Sequence, residues 1–123
     1  KVHLKAANWN TCRKICLEEG GHLAVINSVA EAQHIAHLAK SAGSQIGSEW
    51  QEYFHVGCHN LYNQEEWVTI HGESLIAAGF NEWDAGQPDV DGGACGCINY
   101  STVALDDSTC KTPLGFICEL PYV

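Results

Sequence analysis

The chain has 123 residues, which is enough for one domain with a single core and too few for two. Hydrophobic residues make up 46% and charged residues 17%, so a disordered tail is excluded, and a formal charge of −9 argues against nucleic-acid or anionic-membrane binding, since both need a basic face. No apolar run approaches the ~18 residues of a membrane span, and the acidic excess leaves two readings open, plain solubility or service to a cation.

The chain opens on Lys1 with strand-like residues and no signal peptide, as expected of a mature form or an excised domain covering 1–123. Trp9, Cys12 and Cys16 recur at one-face helical spacing with Ile15 beside them, and Gly20-Gly21 supplies the stop. A strand or edge is predicted at His22–Ile26. Ser28 with Glu31 three residues later forms a capping-box signature for a second helix, which runs through Ala32, Ile35, Ala36 and Ala39 and fades near Gly43. Beyond residue 50, short strands are predicted at Phe54–Cys58, Glu66–Ile70, Cys97–Val103 and Phe116–Leu120, separated by stretches rich in Gly, Asn, Asp and Pro. The segment Gly79–Gly96 has little periodicity, and a loop of that length in a compact domain is usually functional or tied down. Two helices followed by a loop-rich β region read as α+β.

Seven cysteines in so short a chain point to disulfides and an oxidising, extracellular compartment, so the chain is expected to be secreted. Zinc fits less well, because Cys12/Cys16 and Cys95/Cys97 lack Cys-x2-Cys spacing and no paired histidines follow at finger spacing. The odd count leaves at least one thiol free or joined to another chain. No Gly-x-Ser-x-Gly elbow, phosphate loop or His-Glu-x-x-His occurs, and an enzyme is not expected. His34 and His37 share a helix face, but such histidines are more often solvated than metal-bound. Cys95-Gly96-Cys97 reads as disulfide pairing before redox chemistry.

Several spaced features together resemble the C-type lectin-like fold. They are Trp9-x-x-Cys12-x-x-x-Cys16-x-x-x-Gly20-Gly21-His22-Leu23-Ala24, His55-Val56-Gly57-Cys58, Glu66-Trp67-Val68 with Gly72-Glu73, Phe80-x-x-Trp83-x-x-Gly86-Gln87-Pro88-Asp89, Leu105-Asp106-Asp107-x-x-Cys110 and Phe116-Ile117-Cys118-Glu119. The wording from Gly57 to Asp89 is most similar to arthropod humoral lectins of the immulectin type. The resemblance implies two helices with small antiparallel sheets, a long calcium- and sugar-binding loop, and disulfide staples. It joins Cys16 to Cys118 and Cys110 to Cys95 or Cys97, with Cys95 favoured by the Cys-Gly-x-Ile wording. Cys12, Cys58 and the remaining cysteine are left, with room for one extra bridge. A second tandem lectin domain or a homo-oligomer stays open as partner.

The resemblance also implies a Ca2+ site. Calcium takes six to eight oxygens, preferably with several carboxylates. Gln87 and Asp89 flank Pro88, whose preceding peptide bond is cis in the family, and Asp106 and Asp107 fall on the family's Asn-Asp pair. A further family glutamate is missing here, its position being Gly93 or Cys95, and Asp91 is the nearby candidate to replace it. In the family, sugar hydroxyls complete the calcium shell while its protein ligands hydrogen-bond them, so Gln87, Asp89, Asp106 and Asp107 are also the expected sugar-binding residues. The order Gln-Pro-Asp implies galactose-type sugars where Glu-Pro-Asn implies mannose. Val90–Gly96 carries no aromatic ring to cover a sugar, and Trp83 is read as core, as are Trp9 and Trp67. Weak single-sugar binding, strengthened by multivalency on bacterial glycans, is the expectation. The main rival is a calcium-free protein-interaction module on the same fold; an ice-binding variant has no specific support. Asn99-Tyr100-Ser101 is a glycosylation sequon in a predicted strand.

Overall fold

The computed structural model describes residues 1–89 and 94–121. Strand β1 (Val2–Ala7) leads into helix α1 (Trp9–Glu18), whose N-terminus is capped by the Asn8 side chain accepting from the Thr11 N–H at 2.8 Å. Helix α1 buries Trp9, Cys12 and Cys16 and ends before Gly20, which takes φ +89°, a left-handed backbone that glycine adopts without a Cβ clash. Strand β2 (His22–Leu23) is short. Helix α2 (Val29–Ser41) begins as the capping signature predicts, with Ser28 Oγ accepting from the Glu31 N–H at 3.0 Å. The Glu31 carboxylate reaches back to the Asn27 N–H, one residue earlier than in the standard box. The helix turns Ala32, Ile35, Ala36 and Ala39 inward, into the core they share with Phe54, Val56 and Ile98.

The sheet runs in the order β1-β7-β3-β5-β6, with β3 (Tyr53–His59), β5 (Cys95–Asn99), β6 (Ala104–Ser108) and β7 (Leu114–Glu119). β2 pairs with β7, and β4 (Val68–Thr69) pairs with β3. Every pair is antiparallel except β3 with β7, so the expected small antiparallel sheets are joined into one mixed array. Alternation divides its side chains. Phe54, Val56, Ile98 and Leu105 pack with α2 in the main core, while Tyr53, His55, Cys97 and Asp106 belong to the other parity of their strands. Gly57 sits where β3 passes the chain after β2: a Cβ there would lie 2.8 Å from the Leu23 carbonyl oxygen.

Some boundaries differ from expectation. The strand predicted at Cys97–Val103 is really β5 ending at Asn99, followed by a turn in which Val103 takes φ +56°. The strand at His22–Ile26 stops at Leu23, and that at Glu66–Ile70 shrinks to β4, Val68 and Thr69, paired with His59 and Cys58. Strand β6 and the four-residue helix α3 (Leu75–Ala78) were not expected as elements. The sequon's Asn99 is buried, with its carbonyl accepting from Ser101 N–H and its amide 3.4 Å from an Asp84 carboxylate oxygen, so a glycan there must open the end of the hairpin.

Cys16 is bonded to Cys118 and Cys95 to Cys110, which settles the choice between Cys95 and Cys97. Cys12, Cys58 and Cys97 are free and buried, so the extra bridge is not formed. Burial pushes the thiols of Cys12 and Cys58 up to about 12, and that of Cys97 well above its ordinary value, which keeps all three protonated and unreactive. Trp9 is buried and its indole N–H donates to the Val56 carbonyl at 2.8 Å. Trp67 and Trp83 stand edge to face against the core, as read.

Two stability predictions follow from this arrangement. Replacing Cys16 and Cys118 together by serine should lower unfolding free energy by up to ~4–5 kcal/mol on the chain-entropy view, measured by urea denaturation. His55 is fully buried, with its Nε2 at 2.9 Å from the Thr112 carbonyl, and burial lowers its pKa to about 4 from 6.5. The unfolded state therefore binds the extra proton first, and stability present above pH 6.5 should fall as pH drops towards 4, by up to ~3 kcal/mol from this group. His55→Phe should flatten that slope in denaturation midpoints; an unchanged slope would remove His55 from the account.

Candidate functional site

The long loop after α3 returns to the sheet through Trp83, which bridges to Leu105. The Asp84 N–H donates to the Leu105 carbonyl and the Gln87 N–H to the Asp84 carbonyl. Gly86 takes φ +79° in this turn and the Gln87–Pro88 peptide bond is cis, as the resemblance implies. These features present Gln87 and Asp89 to the hairpin of β5 and β6, where the register sets Asp106 opposite Cys97 and Asp107 opposite Gly96.

Four of the five expected ligands meet there. The Asp89 N–H lies 3.1 Å from each carboxylate oxygen of Asp107, and the Asp107 N–H donates to Asp106 Oδ1 at 2.8 Å. Oxygens of Asp89, Asp106 and Asp107 all lie within 4.8 Å of one another. The fifth expected ligand, Asp91, lies outside the described residues.

The Gln87 amide is the centre of this group. With its nitrogen turned inward it donates to Asp89 Oδ1 at 2.6 Å, Asp107 Oδ1 at 2.7 Å and Asp106 Oδ1 at 3.0 Å. With its oxygen inward, the same position would meet three carboxylate oxygens, which only a cation among them could hold together. Either the two hydrogens of an amide donor or a hard cation at this position would therefore offset the crowding of the carboxylates. Burial, followed by the nearby carboxylates of Asp107, Asp84 and Asp89, pushes the Asp106 carboxyl above its ordinary range, against the Asp107 N–H that favours its ionised form. Asp107 is buried, Asp106 and Gln87 are half-buried, and Asp89 is exposed. An all-oxygen set with several carboxylates and no sulfur or imidazole suits calcium or another hard cation, and the residues present fit such an ion.

The same residues line a cleft of about 300 Å³ together with Trp50, Tyr53 and Cys97. Trp50 and Tyr53 were not identified from the sequence as site residues. Their signal was an aromatic residue, Trp50, inside the polar stretch Gly47–Glu52 and a second, Tyr53, directly after it, where no periodicity assigns Trp50 to a core. His34 and His37 are exposed on α2 and join no metal-ligating cluster among the described residues.

Residues 5–120 match the family described as Lectin C-type domain. The chain is 35% identical over 123 residues to a protein of Periplaneta americana named hemolymph lipopolysaccharide-binding protein; the match takes in 98% of this chain and 48% of that protein, so the chain spans about half of that relative. The fold overlays the mouse scavenger receptor C-type lectin carbohydrate-recognition domain with TM-score 0.77 and 25% identity, over 95% of this chain and 85% of that one. It also overlays a calcium-independent type II antifreeze protein with TM-score 0.74 at 20% identity, over 95% and 81% of the two chains, a likeness of fold alone. The chain thus belongs to the C-type lectin domain family, whose domain is a carbohydrate-binding module and not an enzyme.

Proposed function

We propose that this domain is a secreted, calcium-dependent lectin for galactose-type sugars or bacterial surface glycans, acting in innate immune recognition. The observation that carries the reading is the convergence of the Gln87 amide on the carboxylates of Asp89, Asp106 and Asp107. Gln87, Asp89, Asp106 and Asp107 would hold the calcium, with Asp91 as a further candidate. Bound calcium supplies coordination for two vicinal hydroxyls of a sugar. The chain's own part is to orient those hydroxyls: the amide nitrogen of Gln87 donates, and the carboxylates of Asp89 and Asp107 accept. Hydrogen bonds to charged groups contribute ~1.5–3 kcal/mol each, so the order of amide and carboxylate across Pro88 favours one hydroxyl geometry over another. Gln87 before Asp89 is the galactose-type order. The name of the Periplaneta americana relative supports a bacterial glycan as target.

The calcium-free protein-interaction module is the second reading, favoured by one observation: the Gln87 amide nitrogen and the backbone N–H groups of Asp89 and Asp107 already donate to this carboxylate group.

Calorimetric titration of calcium into the chelated domain, with and without galactose, separates the two. The lectin reading expects calcium binding that tightens when galactose is present; no heat at millimolar calcium would sink it. Asp107→Asn removes one charge from the buried carboxylate and should weaken calcium at least tenfold in the same titration, because affinity follows ligand charge.

A further inference from the structure

We infer that Trp50 and Tyr53 form a second sugar subsite beside the cation site, holding the ring glycosidically linked to the sugar at Gln87 and Asp89. The inference rests on the lectin reading above and adds the size of its ligand, an oligosaccharide.

The cleft is shared. Its lining includes Gln87, Asp89, Asp106 and Asp107, and also Trp50 and Tyr53. At about 300 Å³ it lies at the lower bound of small-molecule sites and far exceeds what an ion needs. Tyr53 reaches it through the sheet: His55 pairs with Cys97, Cys97 pairs with Asp106, and Tyr53 lies two residues from His55 on the same strand face. Burial, and then the carboxylates of Asp106 and Asp84, hold the Tyr53 phenol above its ordinary range, as its nearness to the acid group requires.

Trp50 is 55% exposed, although indole is the side chain with most to gain from burial. Its exposure does not come from a loose loop. The buried Gln45 ties the segment down: its Nε2 donates to the Tyr53 carbonyl at 2.6 Å and its Oε1 accepts from the Gly115 N–H of β7 at 2.6 Å. Gln51 bonds both Gln45 N–H and the Gln45 carbonyl, at 2.7 and 3.2 Å, and the Trp50 N–H donates to Ser48 Oγ at 3.0 Å. Trp50 stands edge-on to Tyr53, with ring centroids 6.4 Å apart and planes at 82°. A half-exposed indole on a backbone pinned in this way is an anchor that costs less entropy to engage than one on a free loop.

The chemistry matches a sugar. A pyranose has an apolar C–H face that stacks on an aromatic ring and hydroxyls that need polar partners around its rim. Thr109 and Thr112 also line the cleft, with their hydroxyls 2.9 Å apart, and supply such partners. The loop before β3 and the start of β3 thus offer the linked ring an aromatic face of its own, apart from the sugar at the cation site.

The test uses the calcium-loaded domain as wild type, Trp50→Ala and Trp50→Phe, with galactose and the lipid-free polysaccharide of bacterial lipopolysaccharide as probes. Trp50→Ala should bind calcium and galactose within twofold of wild type and the polysaccharide at least tenfold more weakly, while Trp50→Phe should keep polysaccharide affinity within threefold. Wild-type tryptophan emission should shift on adding polysaccharide, and Trp50→Phe should lose that shift. Equal polysaccharide binding by wild type and Trp50→Ala would overturn the subsite and leave the lectin reading standing. Loss of calcium binding in Trp50→Ala would make the residue structural and overturn the subsite too. A wild type that binds calcium but neither glycan would sink the lectin reading itself.

Discussion

Strand β7 is the piece on which the rest of the molecule hangs. It pairs with β1, with β3 and with β2, and Cys118 within it is bonded to Cys16 of α1. The chain terminus is tied to the same strand, since the Lys1 amino group donates to the Cys118 carbonyl and the Cys118 N–H to the Lys1 carbonyl. The Glu119 carboxylate accepts the Val25 N–H, which fixes the chain after β2, and the Gly115 N–H binds Gln45, which fixes the loop carrying Trp50. Strands β5 and β6, which carry Asp106 and Asp107, reach β7 only through β3. Residues far apart in sequence must therefore meet before the site exists, and the Cys16–Cys118 bond, spanning 102 residues, limits the unfolded chain's freedom where closure is most costly.

What the sequence revealed of this fold was what local chemistry could encode. Ser28 with Glu31 and the Trp9, Cys12, Cys16 spacing carry their own start signals and faces, and both helices lie where those signals point. Strand β6 was hidden because Ala104-Leu105-Asp106-Asp107-Ser108 holds two poor strand formers, and its extended state comes from pairing with β5. Helix α3 is too short for periodicity to show. The turn after Asn99 was concealed by Val103, a β-branched residue that reads as strand and yet sits at positive φ.

The candidate site divides along the same line. Gln87 and Asp89, and Asp106 with Asp107, are each legible as a short motif, and the resemblance assigned them to one ion. That they converge is a property of the turn at Gly86 and of the register between β5 and β6. Trp50 and Tyr53 belong to no motif. They enter the cleft through the pairing of β3 with β5 and through Gln45, two contacts that leave no periodic trace around residue 50.

Glutamine at position 87 has a physical consequence that a glutamate would not share. Three carboxylates packed this closely repel one another, which adds to burial in raising the affinity of Asp106 for a proton. A fourth carboxylate would add repulsion in the ion-free protein and offer no donor. The Gln87 amide instead offers either its nitrogen or its oxygen to this position by a turn about one side-chain bond, and the nitrogen is the atom that suits the carboxylates by themselves. On the calcium reading, Asp106 in place of the family's asparagine returns one negative charge where the family's further glutamate is missing. The ligand charge is thereby moved from the chain before β5 onto β6, which the sheet holds in place. A rigidly held carboxylate loses less freedom on ligation than one on a loop, so the substitution favours retention of the ion even with fewer ligands.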